Sequence, residues 1–96
     1  MTQTEFERRL AVSAKSCGVA LNKESKSYAT VFNFVTTPTE PAMRLQCFRD
    51  GSHGVHVFDA TQKRVAEATC ATGQPLDVAL RVVVGMLMVL QQLKTQ

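Results

Sequence analysis

The chain has 96 residues, of which 45% are hydrophobic and 20% are charged. This length fits one domain, and this balance is typical of a globular protein rather than a disordered one. Eleven Lys and Arg against eight Asp and Glu give a net charge of +3, spread along the sequence without a charged tail. Such a charge allows an acidic partner, for example nucleic acid, but does not require one.

Cysteine usage and two terminal segments indicate the compartment. Cys17, Cys47 and Cys70 are odd in number and far apart in sequence, which favours reduced thiols in a cytoplasmic protein. The first ten residues contain two glutamates and no apolar core, so they do not match a signal peptide. The apolar run at 81–90 is shorter than the ~20 residues that span a bilayer. We therefore expect a cytoplasmic protein that does not contact a membrane.

A helix is predicted over residues 2–17. Thr2 and Glu5 have the spacing of a capping box, in which side chains satisfy the first backbone N–H groups of a helix. Gly18 predicts the end of the helix, because glycine accepts the left-handed conformation that closes many helices. Apolar residues recur at helical spacing along one stripe: Phe6, Leu10, Ala14, Cys17 and Leu21. The polar residues 22–27 are predicted to form a connector.

Two strands are predicted next, separated by a proline-containing loop at 37–41. Residues 28–36 are rich in β-branched and aromatic side chains, which favour a strand. Residues 42–49 alternate, with Met43, Leu45 and Cys47 on one face and Arg44, Gln46 and Phe48 on the other. In the first strand, apolar side chains fall on both faces: Tyr28, Phe32 and Phe34 on one, Val31 and Val35 on the other.

The sheet is expected to continue after a hairpin turn at 50–54, where Asp-Gly accepts the positive φ of a tight turn. A strand over 55–59 follows, with Val55 and Val57 facing the core. Residues 64–70 leave two alternatives open: a fourth strand, or a helix capped by Asp59, since their alanines permit a helix. The predicted sheet is therefore antiparallel, with three or four strands.

Residues 75–94 predict a long apolar helix that packs on the sheet, with Pro75 in its first turn. Apolar side chains cover roughly 200° of it, more than the stripe of about 100° that is usual for a surface helix. One sheet face is expected to cover the side of the helix that carries Leu76, Leu80, Val83, Leu87 and Leu90. The other side has the spacing of a helix–helix seam, and it carries Val78, Val82, Gly85 and Val89. The first helix or a second copy of the chain can cover this seam, and Gly85, which favours a close crossing, points to a homodimer.

No catalytic, cofactor or metal site is predicted, and no small-molecule substrate is evident. His53 and His56 have a spacing found in zinc sites, but zinc needs three or four ligands, and two polar histidines in loop or surface positions explain the pattern better. Cys17 and Cys47 occupy apolar positions, where cysteine behaves as a small core residue. The sequence therefore offers no nucleophile beside a base.

The sheet face that carries Arg44 is the candidate contact surface. Aromatic and basic side chains are expected there or at the nearby strand ends: Arg44, Phe48, Arg49, His56, Phe58 and Arg64. Aromatics among basic residues can stack bases and hold phosphates, and the same residue types serve protein contacts. Alternatively, the first helix or a partner chain covers Phe48 and Phe58.

Together these features predict one α+β domain with an N-terminal helix, an antiparallel sheet and a long C-terminal helix. We expect a small non-enzymatic binding protein of accessory, regulatory or inhibitor type. It would act as a homodimer and hold an unidentified protein partner. The alternative is a nucleic-acid-binding domain that uses the basic and aromatic sheet face.

Overall fold

Two helices enclose a run of consecutive strands along the chain. The computed structural model describes residues 1–36 and 41–94, with only the backbone given for Pro41, Leu93 and Lys94. In these residues the elements are, in order, α1 (Gln3–Ser16), β1 (Ala20–Ser25), β2 (Ala29–Val35), β3 (Pro41–Phe48), β4 (His53–Phe58), β5 (Arg64–Cys70) and α2 (Leu76–Lys94). The α+β class with a helix at each end is confirmed, and the described residues contain five strands rather than three or four.

Helix α1 begins and ends where the capping residues predict. The backbone N–H of Glu5 donates to the Thr2 hydroxyl oxygen at 3.1 Å, which satisfies one free donor of the first turn. At the other end Gly18 has a φ of 70°, and the Val19 N–H donates to the Ala14 carbonyl oxygen at 3.0 Å. This bond closes the helix as in a Schellman motif and turns Val19 into the core.

The prediction of a connector at 22–27 is wrong, because most of this segment belongs to strand β1. The strand pairs antiparallel with β2 over its whole length, from Ala20 opposite Val35 to Ser25 opposite Thr30. Its side chains are mostly exposed, since it lies at the edge of the sheet. The alternation of apolar residues that marks a half-buried strand is therefore missing from its sequence.

All five strands form one antiparallel sheet in the order β1-β2-β3-β4-β5. The strand alternative for residues 64–70 is confirmed, because β5 pairs with β4 from Phe58 opposite Arg64 to His53 opposite Cys70. The Asp-Gly turn is also confirmed, with Gly51 at a φ of 91°. The turn is shorter than predicted, since β4 already begins at His53.

Both helices contribute to one hydrophobic core with a single face of the sheet, which we call the inner face. Helix α2 contacts β3, β4 and β5, while α1 contacts β1 and α2. The sheet supplies Phe32, Phe34, Met43, Leu45, Val55 and Val57 to this core. The helices supply Phe6, Leu10, Ala14, Ala79, Val83, Leu87 and Leu90. Neither of the two described helices packs on the opposite face of the sheet.

The predicted seam on α2 is only partly exposed. Val78 and Val82 are half-buried and pack against the core of their own chain, and Val89 is also half-buried. Gly85 is exposed, with no atom within 4 Å of the position that a Cβ would take. The uncovered stripe of α2 lies beside the predicted seam and contains Val84, which is 39% exposed, and Met88, which is 60% exposed. No helix in the described residues is long and apolar enough to cross a membrane.

Candidate functional site

The face of the sheet opposite the helices, which we call the outer face, gathers most of the predicted contact residues. Because side chains alternate along a strand, residues that pair across strands share a face. Arg44 of β3 lies opposite Asn33 of β2 and His56 of β4, and His56 lies opposite Glu67 of β5. The predicted grouping of Arg44, Gln46 and Phe48 with His56 and Phe58 agrees with this register.

Arg44 lies at the centre of the outer face and is held there by two neighbours. Its Nε donates a hydrogen bond to Asn33 Oδ1 at 3.1 Å. Its Cζ lies 5.6 Å from the centroid of the Phe58 ring, which is within the range of a cation–π interaction. The ring of His56, two residues before Phe58 on β4, lies 6.4 Å from the Phe58 ring. The half-buried guanidinium is therefore held in place by side chains of its own chain.

The charges around Arg44 are of both signs. Arg64 Nη1 lies 2.9 Å from Glu67 Oε2, and His56 Nε2 lies 3.7 Å from the same oxygen. Burial, followed by the nearby Arg64, lowers the pKa of His56, while Glu67 opposes the shift. His56 is consequently neutral at pH 7, and the positive charge at the centre of the face belongs to Arg44.

Phe48 and Arg49 have local structural contacts near the end of β3. Phe48 Cε2 lies 3.5 Å from the position that a Cβ would take on Gly54, so the half-buried ring covers this glycine. Arg49 Nη2 donates to the carbonyl oxygen of Lys26 at 2.7 Å. This bond ties the end of β3 to the turn between β1 and β2.

A depression of about 160 Å³ opens on the outer face beside Arg44. It is lined by Glu24, Lys26, Tyr28, Val31, Arg44 and Gln46. The prediction that Tyr28 shares a face with Phe32 is wrong, because Tyr28 lies in the bend before β2, 53% exposed, and lines this depression. Small-molecule sites usually measure about 300–1,000 Å³, so the depression is too small for a cofactor.

A row of two cysteines and a histidine lies on the inner face; the inward position of Cys47 was predicted from the sequence, but the position of the histidine beside it was not. Cys47 of β3 lies opposite His53 of β4, which lies opposite Cys70 of β5. The prediction that His53 occupies a loop or the surface is wrong: it is 7% exposed, and its ring lies 6.0 Å from Phe6. The sequence does contain a signal for the inward position of His53. It stands two residues before Val55, and residues two apart in a strand share a face.

His53 is isolated in this environment. Its Nδ1 is buried without a hydrogen-bond partner in the described part of the chain. Burial lowers the pKa of His53, while the carboxylate of Asp50 opposes the shift. The imidazole is therefore a neutral core side chain at pH 7 rather than a general base held by a partner.

The row of Cys47, His53 and Cys70 is poorly arranged for metal or disulfide chemistry. Within residues 1–36 and 41–94, no group of three or more His, Cys, Asp and Glu side chains is placed to hold a metal ion. The two cysteines lie on strands separated by β4, about 10 Å apart at the usual strand spacing, which is too far for a disulfide. All three cysteines are free. Burial, and then the nearby Glu7, raises the pKa of the Cys47 thiol to about 11, which makes it a weak nucleophile.

The outer face is thus the place where the predicted contact residues meet. Four of the six lie on it: Arg44, Phe48, His56 and Phe58. Arg64 adjoins them on β5 and is paired with Glu67, whereas Arg49 is engaged with the backbone of Lys26. Comparison of the chain with protein-family models, with curated proteins and with solved structures found no match in any of the three.

Proposed function

We propose that this protein is a non-enzymatic binding protein that holds a protein partner on the outer face of its sheet. The observation that carries this proposal is the one-sided packing of the two helices, since no helix of the described residues covers Arg44, Phe48 and Phe58. Arginine and aromatic side chains are enriched among the residues that dominate protein interfaces. The fixed position of Arg44 adds support, because a side chain that is already ordered loses less entropy on binding.

A protein partner accounts for the surroundings of these side chains better than a nucleic acid does. Bases stack on open aromatic rings, but the Phe58 ring is occupied by Arg44 and the Phe48 ring lies on Gly54. Glu24 and Glu67 lie on the same face and pair with Lys26 and Arg64, so fewer cations of this face are left to neutralise a phosphate backbone. Nucleic-acid binding is the second candidate, and it requires an affinity that falls steeply as salt rises.

The proposal predicts that partner capture depends on the outer face and not on the helices. A Phe48→Ala/Phe58→Ala variant should retain at least tenfold less partner from a nuclease-treated cell extract, since one hot-spot residue contributes about 2 kcal/mol or more. The matched control is Val12→Ala/Lys15→Ala, which changes two exposed side chains of α1. It should retain as much partner as the wild type. The measurement is quantitative mass spectrometry of the proteins held by each immobilised chain.

Two results of this experiment would contradict the proposal. Equal retention by all three proteins would mean that the contact surface lies elsewhere. Retention that occurs in an untreated extract but disappears on nuclease treatment and on raising the salt concentration would favour nucleic-acid binding instead. Circular dichroism of the sheet variant provides the folding control, because Phe48 and Phe58 are half-buried.

We also propose that the chain forms a homodimer through the uncovered stripe of α2. The exposure of Val84 and Met88, one helical turn apart, supports this interface. So does the open space at Gly85, which permits close approach of another helix. Gly85 belongs both to this stripe and to the predicted seam of Val78, Val82, Gly85 and Val89. Light scattering should give a dimer mass for the wild type and for the control Val12→Glu, and a monomer mass for Met88→Glu. A monomeric wild type at high micromolar concentration would refute the dimer.

A further inference from the structure

Arg44 is a half-buried cation without a counter-ion in the described part of the chain. Several other cations lie within 4 Å of a carboxylate, namely Arg8, Arg9, Lys23, Lys26 and Arg64. No carboxylate of residues 1–36 and 41–94 lies that close to Arg44. Because charged groups removed from water are normally paired, this guanidinium is suited to an anion from outside the chain.

Only part of the hydrogen-bonding capacity of Arg44 is used within the described residues. A guanidinium has five N–H donors, and the bond to Asn33 Oδ1 uses Nε. The terminal nitrogens of an arginine match the two oxygens of a carboxylate in a paired arrangement. Asn33 and Phe58 hold the group in place, so it can receive an anion without reorganising.

The depression beside Arg44 sets the chemistry and size of that anion. Lys26 Nζ lies 3.7 Å from Glu24 Oε2, so these two lining charges balance and Arg44 supplies the net positive charge. Tyr28 and Gln46 add polar groups, and Val31 adds an apolar wall. With a volume of about 160 Å³, the space fits one side chain rather than a nucleotide, whose sites fall in the larger range of about 300–1,000 Å³.

We infer that this depression binds the carboxylate of an acidic side chain, which the protein partner supplies. The inference rests on the proposed function, because it identifies the group of the partner that the outer face recognises. Arg44 binds the carboxylate, and Val31 contacts the methylene groups behind it. Tyr28 and Gln46 line the remaining sides of the depression. The partner segment is therefore expected to carry an aspartate or glutamate at the centre of its contact.

The test is a titration of ¹⁵N-labelled wild-type protein with N-acetyl-glutamate N-methylamide, followed by NMR. Saturable shifts are expected at the amides of Val31, Arg44 and Gln46. The neutral N-acetyl-glutamine N-methylamide, which has nearly the same shape, should bind at least tenfold more weakly, because hydrogen bonds to a charged group contribute about 1.5–3 kcal/mol. Equal binding of the two probes would overturn the inference. Tighter binding of inorganic phosphate than of the glutamate probe would overturn the assignment to an acidic side chain.

Two variants connect the binding to the proposed residues. Arg44→Gln should lower the affinity for the glutamate probe at least tenfold, while Arg8→Gln, which changes a paired and exposed cation of α1, should leave it unchanged. If Arg44→Gln does not fold, Tyr28→Ala replaces it, because Tyr28 is 53% exposed and its loss should weaken the same binding. Wild-type affinity in the folded Arg44→Gln protein, or in Tyr28→Ala where that variant replaces it, would refute the assignment.

The inference and the proposed function can fail separately. If Phe48→Ala/Phe58→Ala loses the partner but the glutamate probe never binds, the carboxylate inference is wrong and the outer-face function stands. If the glutamate probe binds but Phe48→Ala/Phe58→Ala still retains the partner, the proposed outer-face function is wrong. The depression then binds a carboxylate that this partner does not supply.

Discussion

Replacing Phe6 with alanine is expected to destabilise the protein by about 3–5 kcal/mol, the usual effect of removing a buried phenylalanine ring. Phe6 is fully buried and lies between α1 and the inner face, with its ring 6.0 Å from His53. A domain of this size has a total stability of about 5–14 kcal/mol at 0.05–0.15 kcal/mol per residue. The substitution would therefore remove a large part of the free energy of unfolding.

Urea unfolding followed by circular dichroism measures this effect. Val12→Ala is the matched control, because Val12 lies on the same helix and is 58% exposed, so its free energy of unfolding should stay within about 0.5 kcal/mol of the wild type. A loss below about 1 kcal/mol for Phe6→Ala would contradict the packing of α1 on the inner face, since surface substitutions have effects of that size. In that case the row of Cys47, His53 and Cys70 would be open to solvent.

The Cys47 thiol is expected to react with iodoacetamide about 100-fold more slowly at pH 8 than an ordinary cysteine, because only the thiolate reacts. Its pKa is raised to about 11 from an ordinary value of 9.0, and each pKa unit lowers the thiolate fraction tenfold at neutral or mildly alkaline pH. The rate should rise about tenfold per pH unit up to the raised pKa. Such a thiol cannot serve as an efficient nucleophile at neutral pH, which agrees with the non-enzymatic proposal.

The measurement uses Cys17→Ala/Cys70→Ala protein, in which Cys47 is the one remaining cysteine, and mass spectrometry of the alkylated product over time. The same protein unfolded in guanidinium chloride is the control, since unfolding removes the burial that raises the pKa. Similar rates in the folded and unfolded protein would show that Cys47 is not packed against the hydrophobic core. They would also reopen the possibility of thiol chemistry next to His53.

Part of the outer face can be predicted from the sequence, and part of it cannot. The alternation in β3 places Arg44 and Phe48 on one face because neighbouring side chains in a strand point in opposite directions. The depression also needs Lys26 and Tyr28, which come from the turn between β1 and β2. Those two residues join Arg44 only because β1, a polar edge strand, pairs with β2 through its backbone.

Several features of the fold depend only on residues that lie close together in the chain, and these could be predicted from the sequence. Thr2 and Gly18 set the ends of α1, Gly51 sets a turn, and the alternation in β3 sets its inner and outer faces. These features follow from side-chain caps, from the freedom of glycine at positive φ, and from the period of a strand. Each of them needs only a few neighbouring residues.

Other features depend on contacts between segments that are distant in the chain, and these become visible only in the folded structure. Backbone pairing with β2 makes a strand of the polar residues of β1, and pairing with β4 makes a strand of 64–70 although its alanines also permit a helix. Helix α1 packs beside α2 and over His53, so a polar side chain becomes part of the core. The physical reason is that backbone hydrogen bonds and burial between distant segments outweigh local preferences of less than about 1 kcal/mol per residue.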